Sequence, residues 1–472
     1  MSDHSSHSDR SAGSAKASQA LQHALSGALQ AAGRDRAHTI ALAYSGGLDS
    51  SVLLDVAAAD AARRGVRLLA LHVHHGLSSH ADGWLAHCEE RCRALGVAFH
   101  AERVVLEGVA DSGVEEAARV ARYAALGRMC RAHGADVLLT AHHLDDQAET
   151  VLLQLLRGSG LAGMSGMEAF NNAPGLLGDG NTLVLRPLLA ITRAQLEAYA
   201  AQCGLASIED ESNADTRYAR NALRHLVMPA LGQSFPGYQQ RLARAAGHAQ
   251  GAQELLLEVA QQDLQRCRRD DHLLMPALRE LSEQRFFNLM RYWFAARGMR
   301  MPSSAWMHEM RAQLMQADVE AQLCVSHPDG EVHRYRERVF LAPRRTPPEE
   351  GEVIRLKWNG EARLRIDAYY GALHLERIAA ADPRPGFDAA WLAAQPLAVQ
   401  GRSGGERVKL AANRPARSLK QHFQSADVPA WERPYLPLLF AGDDLLFAAG
   451  IGMDCVHFAA GGERVAIRWL AD

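Results

Sequence analysis

The sequence predicts an α/β protein: a doubly wound parallel sheet, then a helical section, then a small α+β domain at the C-terminus. Three observations lead there. Apolar strand-like segments alternate with helix-length segments from residue 38 to residue 186, the pattern of a parallel sheet with helices on both faces. A Gln-, Arg- and Leu-rich stretch over 236–315 reads as a separate helical bundle. Beyond the Pro-rich linker at 343–352, short strands alternate with Gly and Pro turns through 353–472,.

In chain order, residues 1–17 hold Ser, His, Asp and Gly without an apolar core and read as a disordered tail,. An Ala/Leu helix is expected at 20–33. Strands are expected at 38–44, 67–74, 97–104 and 136–141, and helices at 50–63, 81–95, 113–133 and 145–157. A fifth strand is expected at 182–186, after a Gly-rich segment, and an Arg-rich passage follows through 190–230. At 472 residues, two or three domains are expected,. The net charge of −3 advertises no global attraction to nucleic acid. No apolar run approaches the ~20 residues of a membrane span. Seven scattered cysteines read as reduced thiols of a cytoplasmic protein,.

The chemistry concentrates after the first strand, at Ser45-Gly46-Gly47-Leu48-Asp49-Ser50-Ser51. Two glycines permit a tight turn and leave no Cβ in the way of a ligand. The N–H groups of the next helix then point at the turn and favour an anion, most often phosphate. Asp49 would repel that anion unless a divalent cation such as Mg²⁺ lies between. A Walker A loop is excluded, because residues 17–356 contain no lysine,. Phosphate must therefore be held by backbone N–H groups, the Ser45, Ser50 and Ser51 hydroxyls, and metal.

A second string, His142-His143-Leu144-Asp145-Asp146-Gln147-Ala148-Glu149-Thr150, follows the 136–141 strand and enters a helix with Val151, Leu152, Leu155 and Leu156 on its apolar side. With Asp145 as the cap, Asp146 and Glu149 share a face. Both loops lie at the carboxyl edge of the sheet, where ligands bind in such folds. Asp145, Asp146 and Glu149 are candidates for Mg²⁺ or a cationic amine, and Asp49 with Asp146 for a shared Mg²⁺. A zinc site at His142 and His143 lacks further ligands at suitable spacing. Arg119 and Arg122 share a helix face, and Arg122 is placed to reach a phosphate,.

Taken together, these residues resemble a known family. The Ser-Gly-Gly-Leu-Asp-Ser loop is similar to that of the N-type ATP pyrophosphatases. Ala118-Arg119-x-x-Arg122-Tyr123, the 142–150 string, Leu155-x-Arg157-Gly158-x-Gly160, Leu185-Arg186-Pro187, Glu209-Asp210-Glu211-Ser212-Asn213 and Tyr218-x-Arg220-Asn221 narrow the likeness to the tRNA(Ile)-lysidine synthetase family. Arg402-Ser403-Gly404-Gly405-Glu406-Arg407, Ser418-Leu419-Lys420 and Val428-Pro429-Ala430-Trp431-Glu432-Arg433 agree. The resemblance covers nearly the whole chain after the tail.

The resemblance implies a PP-loop ATP pyrophosphatase domain at 18–232, a helical tRNA-binding domain at 233–345 and a C-terminal tRNA-recognition domain at 353–472. It implies a ligase that uses ATP and Mg²⁺. The C2 oxygen of the wobble cytidine of tRNA(Ile), anticodon CAU, attacks the α-phosphate. The side-chain amine of free L-lysine then attacks C2, and AMP leaves. Residues 45–51 would bind ATP, Arg122, Asp146 and Glu149 would be catalytic, and Val73-His74-His75 would line the adenine pocket. The partners are the tRNA, L-lysine and, as an option, a second copy of the chain in a homodimer, with no membrane.

Two basic stretches suit the RNA. Residues 402–433 carry seven basic against three acidic side chains, including Arg402, Arg407, Lys409, Arg414, Arg417 and Lys420,. Residues 217–244 carry Arg217, Arg220, Arg224, Arg241 and Arg244 without an acid. The C-terminal domain is expected to read the acceptor stem and refuse tRNA(Met). A tRNA thiolase on the same loop is the alternative within enzymes, but its usual Cys-x-x-Cys pair is missing. A non-catalytic, nucleotide-sensing RNA-binding protein would have no need of Asp49, Asp146 and Glu149.

Overall fold

A computed structural model of the chain describes residues 5–76, 78, 80–106, 114–318 and 323–472, with side chains from Ser18 onward except those of residues 115, 212 and 213. The chain divides into two compact units, Met1–Glu258 and Val259–Asp472.

The first unit is built on β1 (Thr39–Ala43), β2 (Arg67–His74), β3 (Ala98–Arg103), β4 (Val137–Leu139), β5 (Phe170–Asn172) and β6 (Leu183–Leu185). Their order is β3-β2-β1-β4-β6-β5, parallel except for β5. Between them run α1 (Ser5–Ala31), α2 (Leu48–Arg64), α3 (Ala81–Leu95), α4 (Val114–His133), α5 (Leu144–Leu156) and α6 (Arg193–Cys203). Alternate side chains of each strand enter different cores, as a pleat requires. Ile40, Leu42, Leu68, Ala70 and Leu139 pack with Leu21, Leu25 and Leu29 of α1, Val52 and Leu53 of α2, and Leu196 of α6. Ala41, Leu69, Leu71 and Leu138 pack with Tyr123, Leu126 and Met129 of α4. The sheet is thus wound on both faces. The strand order reverses between β1 and β4, and the loops that follow these two strands frame the crevice,.

Two details differ from the sequence reading. Helix α1 reaches back to Ser5, through the stretch read as a tail, while residues 1–4 lie outside the described residues. On α5, Val151 is buried, but Leu155 and Leu156 stand exposed.

Helix α7 (Tyr238–Cys267) runs across the division. The second unit continues with α8 (Glu283–Ala296) and α9 (Ser304–Gln316), whose first turns are capped by Ser282 and Ser303,. The expected helices are joined by a five-stranded antiparallel sheet: β7 (Arg268–Arg269), β8 (His272–Leu274), β9 (Leu323–His327), β10 (Gly330–Tyr335) and β11 (Arg338–Pro343), in the order β7-β8-β11-β10-β9. Val325, Val332 and Val339 turn one face of it onto Phe286, Met290 and Trp293 of α8. The C-terminal part is antiparallel. One sheet contains Leu397–Gln400 and Leu438–Ala441, another Gly371–Ile378 and Arg464–Ala471, and a ribbon pairs Arg407–Val408 with Arg417–Ser418. Trp358, Leu373, Phe387, Val399, Leu439 and Ile467 share its core. Helix α10 (Leu419–Ser425) carries a capping box at Ser418,.

Candidate active site

Strand β1 ends at Ala43, and the chain turns at Gly46, whose φ of 85° is the left-handed region open to glycine,. A Cβ there would lie 2.6 Å from Ile208 Cδ1 and 2.8 Å from Cys88 Sγ. Gly47 is the N-cap of α2 and supplies no side-chain cap. The first N–H groups of α2 therefore remain available to a ligand.

The serines divide their work differently from expectation. Ser50 Oγ donates to Gly47 O (3.0 Å) and Ser51 Oγ donates to Gly46 O (3.3 Å). Both residues are buried, and a buried hydroxyl must spend its proton on an acceptor. They shape the loop from behind, and Ser45, whose Oγ lies 3.1 Å from Ser50 Oγ, is the exposed serine of the turn.

On the other loop, His143 rather than Asp145 caps α5. Asp146 N donates to His143 Nδ1 and His143 N donates to Asp146 Oδ2, a reciprocal capping box,. Asp145 is committed elsewhere. Its Oδ2 accepts from Arg193 N at the start of α6 (2.8 Å), and its Oδ1 accepts from Gln239 Nε2 (3.1 Å). It ties α5 to its neighbours and is a poor candidate for lysine or Mg²⁺.

Asp146 and Glu149 do share a face, and two arginines meet them. Arg224 Nε donates to Glu149 Oε1 (2.7 Å) and its Nη2 to Glu149 Oε2 (2.8 Å) and Asp146 Oδ1 (3.0 Å). Arg220 Nε donates to Glu149 Oε2 (3.0 Å), and its Nη2 lies 3.3 Å from Asp146 Oδ1. Glu149 is 3% exposed, so the pairing offsets a desolvation cost of several kcal/mol per ion,. Arg220 and Arg224, expected to track RNA phosphates, are thus each engaged by these carboxylates and keep about a third of their exposure. Arg217 is exposed beside Asp215.

His143 lies between the two acids proposed to share a metal. Its Nε2 is 3.6 Å from Asp49 Oδ2 and 3.4 Å from Asp146 Oδ2. Burial alone would depress its pKa. The hydrogen bond to Asp49 and the charges of Asp146, Asp49 and Asp145 outweigh this and raise it. Asp146 responds in kind: burial pushes it up, but His143, Arg220 and His142 hold it below the usual carboxylate range. The His143 imidazole thus stands between Asp49 and Asp146 where a shared ion was expected. Arg193 Nη1 also reaches Asp49 Oδ2, at 2.7 Å. Asp49 Oδ1 is buried and has no hydrogen-bond partner, which leaves Asp49 as the carboxylate whose chemistry fits an Mg²⁺ ion beside phosphate.

Arg122 makes no ion pair among the described residues. It is accessible to water, yet desolvation by the surrounding protein and the charges of Arg119 and Arg220 lower its pKa. Its own charge and burial press His75 down to about 4. Arg122, His75 and His142 therefore feel one another across the crevice, and Arg122 is free to receive an anion. His74 is tied to Asp82 at 3.3 Å. Cys88 and Cys92 sit in the core behind the loop, with burial pushing both thiols up to about 12, an environment for inert thiols.

Sequence reasoning missed Arg193 and His143 as partners of Asp49. It also missed the pairing of Arg220 and Arg224 with Asp146 and Glu149. The four-residue spacing of the arginines matching the three-residue spacing of the acids was the available signal.

Residues 16–231 match the family model described as PP-loop domain, 273–340 the TilS substrate binding domain and 397–469 the TilS substrate C-terminal domain. The chain is 45% identical over 442 residues to the tRNA(Ile)-lysidine synthase of Ralstonia nicotianae, covering 92% of each chain. It is 42% identical to that of Burkholderia pseudomallei (92% and 93% covered) and 35% identical to that of Nitrosomonas europaea (91% and 91%). The chain belongs to the tRNA(Ile)-lysidine synthase family.

Proposed function

We propose that this chain is an ATP-dependent ligase that joins the side-chain amine of L-lysine to C2 of the wobble cytidine in tRNA(Ile) with anticodon CAU. It works in two steps. The C2 oxygen attacks the α-phosphate of ATP and pyrophosphate leaves. The lysine amine then attacks C2, AMP leaves, and the modified base pairs with A instead of G. The observation that carries the reading is the meeting of a glycine phosphate turn with a buried two-acid, two-arginine cluster in one crevice. Family membership supplies the identity of the substrates.

The turn at Gly46 and Gly47 and the N–H groups of α2 hold the β- and γ-phosphates, and Arg122 meets the α-phosphate, where charge develops during attack. Mg²⁺, held through Asp49, adds neutralisation of phosphate charge. Asp146 and Glu149 receive the lysine ammonium, and one of them takes its proton before attack. Arg220 and Arg224 neutralise that pair until lysine arrives,. The division of labour follows the expected boundaries: 18–232 for chemistry, 233–345 and 353–472 for tRNA. We assign the reaction to the cytoplasm, a reading that seven free cysteines support,.

The test is to incubate the protein with ATP, Mg²⁺, labelled lysine and tRNA(Ile) bearing CAU. Label should enter the RNA, with AMP and pyrophosphate formed in equal amounts. Entry of sulfur from a thiol donor instead of lysine would overturn the reading.

A further inference from the structure

We infer that the sheet of the second unit carries a site for a borderline divalent metal ion, best matched by Zn²⁺, formed by Cys324 Sγ, a carboxylate oxygen of Glu331 and a ring nitrogen of His333. The pairing register builds it. Cys324 on β9 lies directly opposite His333 on β10. Glu331 precedes His333 by two residues and so projects to the same side. The opposite face is the apolar one, where Val325, Val332 and Val339 are buried.

Among the described residues this is the set of three such side chains whose ligand atoms all come within 4.8 Å of one another. Glu331 Oε2 and His333 Nε2 already stand 2.9 Å apart. Tetrahedral Zn²⁺, with sulfur at about 2.3 Å and nitrogen or oxygen at about 2.0–2.1 Å, needs ligand atoms about 3.3–3.8 Å apart, so the Glu331–His333 pair opens by about 0.5 Å and the thiol closes by up to about 1 Å. Cys324 can supply that closure, because it is exposed on β9, the edge strand of the sheet.

His333 is the fixed member. It is buried and stacked on the Trp431 ring, 4.3 Å between centroids with 10° between planes. One thiolate, one imidazole and one carboxylate suit Zn²⁺ and its neighbours rather than Mg²⁺, which prefers oxygen alone. Binding converts the Cys324 S–H to an S–metal bond and releases that proton to solvent. A water molecule completes the four ligands. The ion would clamp edge strand β9 to β10 and, through His333, hold the segment around Trp431 whose Asp427 pairs with Arg336 and Arg338.

The test uses the full chain, stripped with a chelator and titrated with Co²⁺. The expected result is one equivalent bound with a thiolate-to-cobalt absorption band, displaced by Zn²⁺, and quenching of Trp431 fluorescence. Cys324→Ser should abolish the band. His333→Asn should weaken binding by ~10-fold or more. Cys203→Ser, at another exposed cysteine, should leave the spectrum unchanged. Absence of the band in the parent chain, or its persistence at full stoichiometry in Cys324→Ser, would overturn the proposal.

Discussion

In the crevice of the first unit, the acids Asp49, Asp145, Asp146 and Glu149 meet Arg193, Gln239, His143, Arg220 and Arg224 at short range. Across 402–433, seven basic side chains stand in a row, and none forms an ion pair with a carboxylate among the described residues. The acids within that run are spent elsewhere. Glu406 accepts from the backbone of Ser403 and Gly404, and Asp427 pairs with Arg336 and Arg338. Arg402 and Arg433 pack on Phe423, while Arg407, Arg414, Arg417 and Lys420 are exposed. The contrast separates two uses of charge. Chemistry on a small molecule needs each charge fixed in direction, and matched partners fix it before the substrate arrives. A polyanion is met by cations that are free to shed counterions. A basic run that kept its charges paired would bind RNA poorly, and a crevice that left the buried carboxylates Asp146 and Glu149 unpaired would be destabilised.

The largest effect is expected from breaking the matched set. Glu149→Gln leaves Arg220 and Arg224 short of a partner on a residue that is almost fully buried. Lysine transfer should fall roughly 10²–10³-fold. Because both arginines keep about a third of their exposure, the stability cost should be about 1–3 kcal/mol rather than the full value for a buried pair. Adding Arg224→Gln should restore part of the melting temperature and none of the activity. Recovery of both together would show that the cluster is structural only.

Next in size is the turn. Gly46→Ala must hold φ at 85° and push its Cβ against Ile208 and Cys88. Backbone strain alone costs about 1–3 kcal/mol. ATP affinity should drop by up to the exponential of that cost, about 5- to 150-fold, measured with a non-hydrolysable analogue, with RNA affinity in the absence of ATP unchanged. Equal loss of RNA binding would blur the division drawn above.

The unpaired run gives a milder and differently shaped response. Lys409→Gln, Arg414→Gln and Lys420→Gln combined should raise the tRNA Kd on the order of tenfold and lower the slope of log K against log salt by about 2–3. The melting temperature and ATP affinity should not move, since none of the three has a charged partner to lose. A salt slope identical to the parent chain would remove these residues from the RNA contact.

How far the sequence carried this picture depends on the range of each signal. The strands β1 to β4 and the helices between them follow from apolar period and Gly punctuation, and their ends fall within two residues or so of expectation. Asp146 and Glu149 were legible as a pair because helix geometry relates neighbours three apart. Arg193 was not, because it meets Asp49 from 144 positions away. The roles of Ser50 and Ser51 were misread for a different reason: residue type says that a hydroxyl can bind phosphate, but only burial says where its proton goes. The sheet β7 to β11 escaped notice because its strands are short and one face bears Cys324, Ser326, Glu331 and His333, so the apolar alternation is thin.

The smallest effect tests the matched set by titration. His143 has its pKa raised by Asp49, Asp146 and Asp145 against the pull of burial. A histidine whose folded value lies above its unfolded value of 6.5 contributes stability that is complete below that pH. The contribution disappears as pH rises through the raised folded value. His142 and His75 act in the opposite sense: burial lowers both, so they cost stability as pH falls below 6.5. A melting curve of the parent chain alone therefore mixes the two. The difference between the parent and His143→Asn isolates one, since asparagine keeps a capping oxygen for α5 and leaves His142 and His75 in place. That difference should be largest below pH 6.5 and should shrink as pH rises through the raised folded value,. The same comparison with Lys420→Gln in the basic run should be flat with pH. If the His143→Asn difference were flat as well, the imidazole would not be held by the carboxylates around it. The first unit would then lose the property that sets it apart from the C-terminal run.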